Sequence, residues 1–214
     1  MRRAGRPSAD AVADLTQQIL AAALEEFRHH GYGSSSLDRV ARTAHTTRAA
    51  LYRRFADKRA LFEAVLAQQI ARLDTRVMTD RPGRSAPLAD LRHTIAVYLA
   101  FALDPATIDL QRIVIAEASR LADVSGPIEQ QWVARLDELV ARAQQAGQLK
   151  TGPPELWRDV LRRLIVDGPR ARALHAADAQ GSAKARDEMA RMWPVFLGVA
   201  GTPEAMAAER PASA

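Results

Sequence analysis

Basic residues stand at the starts of two successive predicted helices in the segment TRAALYRRFADKRALF. Arg48 follows the helix-capping residue Thr47, and Lys58 and Arg59 follow Asp57, which is also a good cap. The first turn of a helix exposes backbone N–H groups and carries a partial positive charge, so it favours acidic residues. Cations become favourable there when an anion binds, because the cation, the N–H groups and the helix dipole then act together. The segment therefore predicts contacts to phosphate.

The excess positive charge of the chain lies in its first third, which contains this segment. The 214 residues carry a formal net charge of +5. Residues 1–62 hold 11 Arg or Lys and 6 acidic residues, and the remainder is neutral. This asymmetry predicts a polyanion-binding module joined to a neutral one. From charge alone, the alternative is a solvated charged face on a small helical domain.

Composition limits the class of protein. The absence of cysteine excludes disulfides, zinc–cysteine sites and thiol catalysis, and it fits a reducing cytoplasm. No apolar run approaches the ~18 residues of a membrane span, and the basic N-terminus lacks the apolar segment of a secretory signal. Ala and Leu are abundant, which favours helix. We expect an all-α cytoplasmic protein without a membrane partner.

Helical periodicity arranges the basic residues on a compact module. We predict helices over 10–30, 37–44, 48–55 and 58–79, the first ending at Gly31 and the second starting at Ser35-Ser36. Two short helices joined by three or four residues and braced by longer helices are typical of a helix-turn-helix unit. The segment from Arg39 to Ala56 holds five arginines and no acid, which suits a DNA backbone.

A loop at 80–87 separates this module from a second set of helices. We predict them near 88–103, 106–121, 126–146, 154–177 and 183–199, with Gly168-Pro169 kinking or splitting the fourth. The predicted domains are an arm and helix-turn-helix domain over 1–62, an effector-binding and dimerisation domain over 63–200, and a disordered tail over 201–214.

The stretches ILAAALEEFRHHGYGSSSLDRVARTA and LYRRFADKRALFEAVL resemble the TetR/AcrR family of bacterial transcriptional repressors. The shared pattern comprises Gly31-Tyr32, Ser35-Ser36, Leu51-Tyr52, Phe55, Lys58 and Leu61. RIVIAEASR resembles a segment of the AcrR-like branch. His45 departs from the usual turn glycine, and Arg54 replaces the usual histidine. Both departures affect the prediction of which operator sequence is bound, and neither affects the prediction of DNA binding.

The resemblance implies a DNA-binding site. It assigns phosphate contacts to Tyr52 and Lys58, to which the helix-capping hydroxyls can add; the alternative for Tyr52 is a half-buried core position. The exposed face of the third helix supplies candidates for base contact, since Arg pairs with guanine and Ala contacts the thymine methyl. The DNA-binding candidates are Ser35, Ser36, Thr46, Thr47, Arg48, Ala49, Tyr52, Arg53, Arg54 and Lys58. Arg2, Arg3 and Arg6 are candidates for a minor-groove arm or form an ordinary disordered terminus.

The resemblance also implies a homodimer that binds a near-palindromic double-stranded operator and responds to a small apolar or amphipathic effector, with no cofactor and no metal. The dimer candidates lie on the last two long helices; the alternative is that they fill the core of one protomer. They are Leu156, Val160, Leu161, Leu164, Met189, Trp193 and Phe196. The effector candidates are the aromatic residues Tyr98, Phe101, Trp132 and Trp157 and the polar anchors His93 and His175, and their alternative is plain core.

Three other functions compete with a ligand-responsive repressor. An enzyme would need a catalytic constellation, and the chain has no Gly-rich phosphate loop, Gly-x-Ser-x-Gly or His-Glu-x-x-His motif. We interpret Glu25-Glu26 as solvated surface. A sequence-tolerant binder of nucleic acid or of a membrane surface would use the basic face without an operator. A scaffold that has lost its pocket would bind DNA identically with or without a small molecule.

Overall fold

The protein is described by a computed structural model that covers residues 9–79, 86–121, 123–124, 126–175 and 181–209, without the side chains of 9–12, 127–129 and 181–183. The described residues form helices and no strand, which confirms the all-α prediction. The helices are α1 (Ala9–Ser34), α2 (Leu37–Thr43), α3 (Arg48–Tyr52), α4 (Lys58–Thr79), α5 (Pro87–Ala102), α6 (Pro105–Ala116), α7 (Ala118–Leu121), α8 (Gly126–Gln145), α9 (Pro154–Arg162), α10 (Gly168–His175), α11 (Gly181–Ala200) and α12 (Pro203–Ala208).

The chain divides into two compact units. The first contains α1–α3, α4 up to Ile70, and Ile113–Val124; the second contains Ala71–Arg112 and the residues after Val124. The boundary therefore lies within α4, later than the predicted position after residue 62. The sequence did not reveal this boundary because α4 continues through it without a loop. The assignment of Ile113–Val124 to the first unit depends on contacts between residues distant in sequence.

An aromatic cluster holds α1 against α4 in the first unit. The ring of Phe27 meets that of Phe62 edge-on at 5.0 Å, and Tyr32 lies 5.4 Å from Phe62. Gly31, which lies between Phe27 and Tyr32 in the sequence, has a φ of 69°, as expected for the glycine that ends the regular part of α1. The positive φ turns the chain so that Tyr32 packs beside Phe27.

The turn between α2 and α3 has a left-handed residue that is not glycine. His45 has a φ of 49°. Its N–H donates to the carbonyl of Arg42, and the N–H of Thr46 donates to that of Ala41. These two bonds form a Schellman motif, which satisfies the free carbonyls at the end of α2. Histidine tolerates this conformation better than most side chains, though less well than glycine.

The third helix is shorter than predicted. It ends at Tyr52 rather than at residue 55, because the N–H of Arg54 donates to the carbonyl of Leu51, three residues back, which tightens the last turn. Leu51 and Phe55 are buried as predicted.

The core of the second unit lies between α5, α8, α9, α10 and α11. Leu91 and Ile95 of α5, Val140 of α8 and Phe196 of α11 are fully buried in it. A π-helical turn, Arg163–Asp167, separates α9 from α10 immediately before Gly168-Pro169. The predicted interruption is confirmed, and its cause is that Pro169 has no N–H for the helical bonding pattern.

Residues 201–209 differ from the predicted disordered tail. Gly201 pairs with Leu149 in an isolated bridge, and Thr202 caps α12 by accepting a hydrogen bond from the N–H of Ala205. Ala205 is buried against the core. The Ala, Pro and Glu of this stretch favour disorder only in isolation; packing orders them. Residues 210–214 lie outside the described residues.

Candidate nucleic-acid interface

The outer face of α3 brings together four of the predicted DNA-binding residues. Arg48, Ala49, Tyr52 and Arg53 are exposed, whereas Ala50 and Leu51 are buried in the first unit. The exposed four occupy positions i, i+1, i+4 and i+5, which lie on one side of a helix. The short helix therefore presents two guanidinium groups, a methyl group and a phenol to the same side.

Arg48 is already held by neighbours. Its Nε and Nη1 lie 3.2 Å and 3.3 Å from the two carboxylate oxygens of Asp38, the second residue of α2. Its guanidinium also lies 5.4 Å from the centre of the Tyr52 ring, within cation–π range. These contacts orient the first residue of α3 relative to α2.

A cleft of about 310 Å³ lies between the starts of α2, α3 and α4. Ser35, Ser36, Arg48, Tyr52 and Lys58 line it, and all five were predicted to bind DNA. The carboxylates of Asp38 and Asp57 line it as well. The cleft therefore offers hydroxyl and cationic donors, the groups that hold a phosphate, beside two acids that would repel one placed too close.

The hydroxyl groups at the helix starts differ in whether they have a hydrogen available to donate to a phosphate. The Thr47 hydroxyl accepts from the N–H of Ala50 at 3.1 Å, so its own hydrogen can still be donated to a phosphate. The Ser35 hydroxyl donates to the carbonyl of Tyr32 at 2.7 Å and therefore has no hydrogen free. The hydroxyls of Ser36 and Thr46 have no hydrogen-bond partner among the described residues.

Both cations at the start of α4 are bound within the first unit. Lys58 Nζ donates to the carbonyls of Gly33 and Ser35 and lies 4.9 Å from the Tyr32 ring. Arg59 bonds the carboxylate of Asp123 at 2.6 Å and the carbonyl of Arg120 at 2.8 Å. The anion bound by Arg59 is therefore the carboxylate of Asp123 in the same unit. This ion pair explains the basic residue at the start of α4 without a phosphate contact.

Arg54 faces α1 rather than the outer side of α3. Its Nε lies 3.4 Å from the Thr16 hydroxyl, and its Nη1 donates to the carbonyl of Ala50. In this position Arg54 braces α1 against α3. Arg2, Arg3 and Arg6 lie outside the described residues.

Glu26 corrects the interpretation of Glu25-Glu26 as solvated surface. Its side chain is only 8% exposed and pairs with Arg39 at 2.6 Å. It also accepts the N–H of Ser36 at 2.7 Å, so it caps α2 from α1. Burial raises the pKa of Glu26, but the hydrogen bonds from Arg39 and Ser36 and the Arg39 charge outweigh it, leaving the pKa below 4.5. The spacing of ten residues between Glu26 and Ser36 gave no local signal of this contact.

Arg42 is a further candidate that the site prediction omitted. It lies in the last turn of α2, is exposed, and has no ion-pair partner among the described residues. The run of five acid-free arginines contained the signal, but their roles diverge: Arg39 is neutralised by Glu26, Arg48 is paired with Asp38, and Arg54 is turned inward.

The predicted effector residues are dispersed through the second unit. Tyr98 stacks on Trp132 at 5.1 Å, with Phe101 packed against the same cluster. Trp157 packs on the main core, and His175 is exposed at the end of α10. Of the six candidates, His93 alone lines the two cavities that flank α5.

Two cavities flank α5 in the second unit. The larger, about 500 Å³, lies between α5 and α11 and is lined mainly by alanines and Met189, with Arg92 and Glu209 joined in an ion pair of 2.7 Å. The smaller, about 350 Å³, lies between α5 and α8 and is polar, with Asp90 and Arg142 among its lining residues.

The predicted dimer residues separate into two groups. Leu161, Met189, Trp193 and Phe196 are buried in the core of the protomer, which corrects their assignment to an interface. Periodicity identified an apolar face but not the surface against which it packs. Leu156 is 50% exposed; Val160 and Leu164 are partly buried. Two exposed valines of α11, Val195 and Val199, were not predicted.

None of the described helices is long and apolar enough to cross a membrane. Within the described ranges, no group of three or more potential ligand side chains is placed to hold a metal ion.

Comparison of the sequence with protein families gives two matches. Residues 19–65 match the tetR family of bacterial regulatory proteins, and residues 89–198 match the C-terminal domain of AefR-like transcriptional repressors. No curated protein matches the chain significantly in sequence.

Several solved structures share the fold at low identity. A TetR-family transcriptional regulator from Mesorhizobium loti is 20% identical, with 89% of this chain and 98% of that chain covered and a TM-score of 0.74. One from Pectobacterium atrosepticum is 24% identical, with coverage of 92% and 100% and a TM-score of 0.65. A protein studied for the control of antibiotic production by a bacterial hormone is 22% identical, with coverage of 92% and 100% and a TM-score of 0.68.

Proposed function

Because the chain belongs to the TetR family of bacterial regulatory proteins, we propose that it is a transcriptional repressor that binds a near-palindromic operator as a homodimer and is released by a small-molecule effector. Members of this family are ligand-responsive DNA-binding regulators rather than enzymes. The observation that carries the proposal is the outer face of α3 beside the cleft at the helix starts.

In this proposal α3 enters the major groove. Arg48 and Arg53 pair with guanine and Ala49 contacts a thymine methyl. Tyr52, Lys58 and the hydroxyls of Ser36, Thr46 and Thr47 contact phosphates and set the position of the helix without reading sequence. Arg54, bound to α1, supports α3 from behind.

The proposed dimer uses the outward sides of α9 and α11. Val195 and Val199 are 46% and 48% exposed and lie four residues apart, hence on one face of α11. Leu156 of α9 adds a third exposed apolar residue. Burial of such residues between two copies removes apolar surface from water, which favours association.

Release by an effector follows from a population shift. An effector that binds better to a dimer whose two α3 helices do not match the half-site spacing lowers operator affinity by the difference in its binding energies, typically ~1–3 kcal/mol. A structural neighbour of this chain has been studied for the control of antibiotic production by a bacterial hormone, and this supports the proposal by analogy of fold.

Selection from random duplex DNA with the full chain tests the operator. We expect a motif of two inverted half-sites about 34 Å apart or a multiple of it. Its affinity should exceed that of a shuffled duplex at least about a thousandfold and fall steeply with salt. Selection that returns no motif would instead favour a sequence-tolerant binder and contradict the base-reading roles of Arg48 and Arg53.

A further inference from the structure

The polar cavity between α5 and α8 reaches buried side chains. Asp90 and Thr94, both on α5, line it and are only 2% and 4% exposed. Gln131, Glu138 and Arg142 line it from α8. Its volume of about 350 Å³ lies in the range of small-molecule sites, ~300–1,000 Å³.

A buried polar atom of this cavity lacks a partner. Nε2 of His93 is fully buried and forms no hydrogen bond to another described residue, and Thr94 adds a hydroxyl group to the same lining. Buried polar atoms are almost always bonded to protein, to water or to a ligand. Since no described residue satisfies His93 Nε2, this nitrogen is available to a molecule in the cavity.

The charges around the cavity favour a cation. Arg142 is paired with Asp90 at 3.2 Å, and Arg135 with Asp74 at 3.4 Å, so both guanidinium groups are compensated. Glu138 lines the cavity and has no ion-pair partner among the described residues. The carboxylate of Glu138 is therefore an uncompensated negative charge in the lining, which attracts a cation and repels an anion.

We propose that this cavity binds a small hydrophilic cation, an amine that also carries hydroxyl groups. The ammonium group pairs with Glu138, and the hydroxyl groups exchange hydrogen bonds with Thr94 and His93. This deepens, and rests on, the proposed ligand-responsive function. It replaces the expectation of an apolar or amphipathic effector for this site.

The larger cavity between α5 and α11 has the opposite chemistry. Alanines make up half of its lining residues, and the exposed Arg186, which also lines it, has no partner among the described residues. An amphipathic anion would suit that cavity better. A matched set of probes therefore distinguishes the two sites by charge and polarity.

Calorimetric titration of the full chain without DNA tests the proposal with glucosamine, glucose, glucuronate and octanoate. We expect saturable binding of glucosamine, at least about tenfold weaker binding of glucose, and no binding of glucuronate. Binding of octanoate or glucuronate alone would overturn the proposal. Binding of none of the four would also overturn it, because the cavity would then hold only water.

Two variants assign the binding to this cavity. Glu138→Gln should remove the preference for glucosamine over glucose, and Thr94→Val should weaken binding of both sugars about tenfold. Glu204→Gln, an exposed glutamate outside the cavity, and Thr107→Val, a buried threonine with an unpartnered hydroxyl elsewhere, are the matched controls. Equal affinities across all five proteins would place the sugar outside this cavity and overturn the proposal.

Release of a selected operator duplex by glucosamine is measured separately. Binding with release supports both the site and the ligand-responsive function. Binding without release leaves the site in place and contradicts its role as effector site. Failure of the operator selection contradicts the proposed repressor but does not alter the titrations made without DNA.

Discussion

The side chains on the outer face of α3 differ in how firmly they are held before DNA binds. Arg48 has a carboxylate and an aromatic ring as neighbours, whereas Arg53 is exposed and has no partner among the described residues. In the proposed complex, Arg48 exchanges its contact with Asp38 for a base, while Arg53 gives up only water. Arg53 should therefore contribute more net free energy to base recognition.

Replacing Arg53 by Ala should lower the affinity for the selected operator by about 1–3 kcal/mol and relax the preference at one base pair of each half-site. Competition binding with operators altered one base pair at a time measures both effects. Tyr52→Phe, which removes a phosphate contact but keeps the ring beside Arg48, is the control: affinity should fall uniformly with an unchanged motif. If R53A kept the full sequence preference, Arg53 would be no base reader.

At the scale of the element, α2 depends on a residue of α1. Ser36 occupies the capping position but makes no side-chain cap; the carboxylate of Glu26 accepts its N–H and pairs with Arg39 instead. This carboxylate ties α1 to the start of α2 and so sets the orientation of the helix-turn-helix. A carboxylate at a helix start is also favoured by the helix dipole.

Glu26→Gln should destabilise the protein by about 1–3 kcal/mol at pH 7, since it removes charge-assisted hydrogen bonds from a buried site. The folded-state pKa of Glu26 is lowered. Its contribution is therefore complete above the ordinary value of 4.5 and is lost as pH falls through the folded pKa. Urea unfolding of both proteins from pH 7 to pH 3 should show a difference that shrinks below about pH 4.5.

The neighbouring Glu25, 52% exposed and paired with Arg28, is the matched control for this measurement. Glu25→Gln should change the free energy of unfolding by less than about 1 kcal/mol at any pH. A pH-independent loss in E26Q would mean that shape, rather than charge, holds α2.

At the scale of the whole molecule, the proposed recognition of a near-palindromic operator requires two copies of α3 and hence a dimer. The described protomer leaves Leu156, Val195 and Val199 exposed on α9 and α11. The larger apolar residues Trp193 and Phe196 of α11 are buried within the protomer. The proposed interface is therefore built from the smaller side chains on the outer faces.

Replacing Val195 and Val199 together by Asp should raise the dimer dissociation constant at least about tenfold, because each buried carboxylate would be unpaired. Sedimentation analysis across a concentration series gives that constant, and operator affinity should fall with it. Ile115→Asp, at an apolar residue of the first unit that is 62% exposed, should leave the oligomeric state unchanged. A double variant that dimerises normally would place the interface elsewhere.

The sequence alone was enough to predict the features that depend on residues close together in the chain. The helix starts at Thr47 and Asp57, the positive φ at Gly31 and His45, and the interruption before Gly168-Pro169 all depend on residues within a few positions of one another. The family was also readable from one stretch, because the helix-turn-helix is encoded by consecutive residues. Helical spacing predicted the shared face of Arg48, Ala49 and Arg53, whereas the role of Tyr52 came from the family resemblance.

Partners distant in sequence were decided by the tertiary structure. Arg59 pairs with Asp123, 64 residues away, and Arg112 reaches the carbonyls of Ala173 and Leu174. Such contacts decide whether a basic residue is free for DNA or already neutralised. Likewise, periodicity placed Trp193 on an apolar face, while only packing showed that this face turns inward. A sequence determines which residues share a face; the fold determines what that face meets.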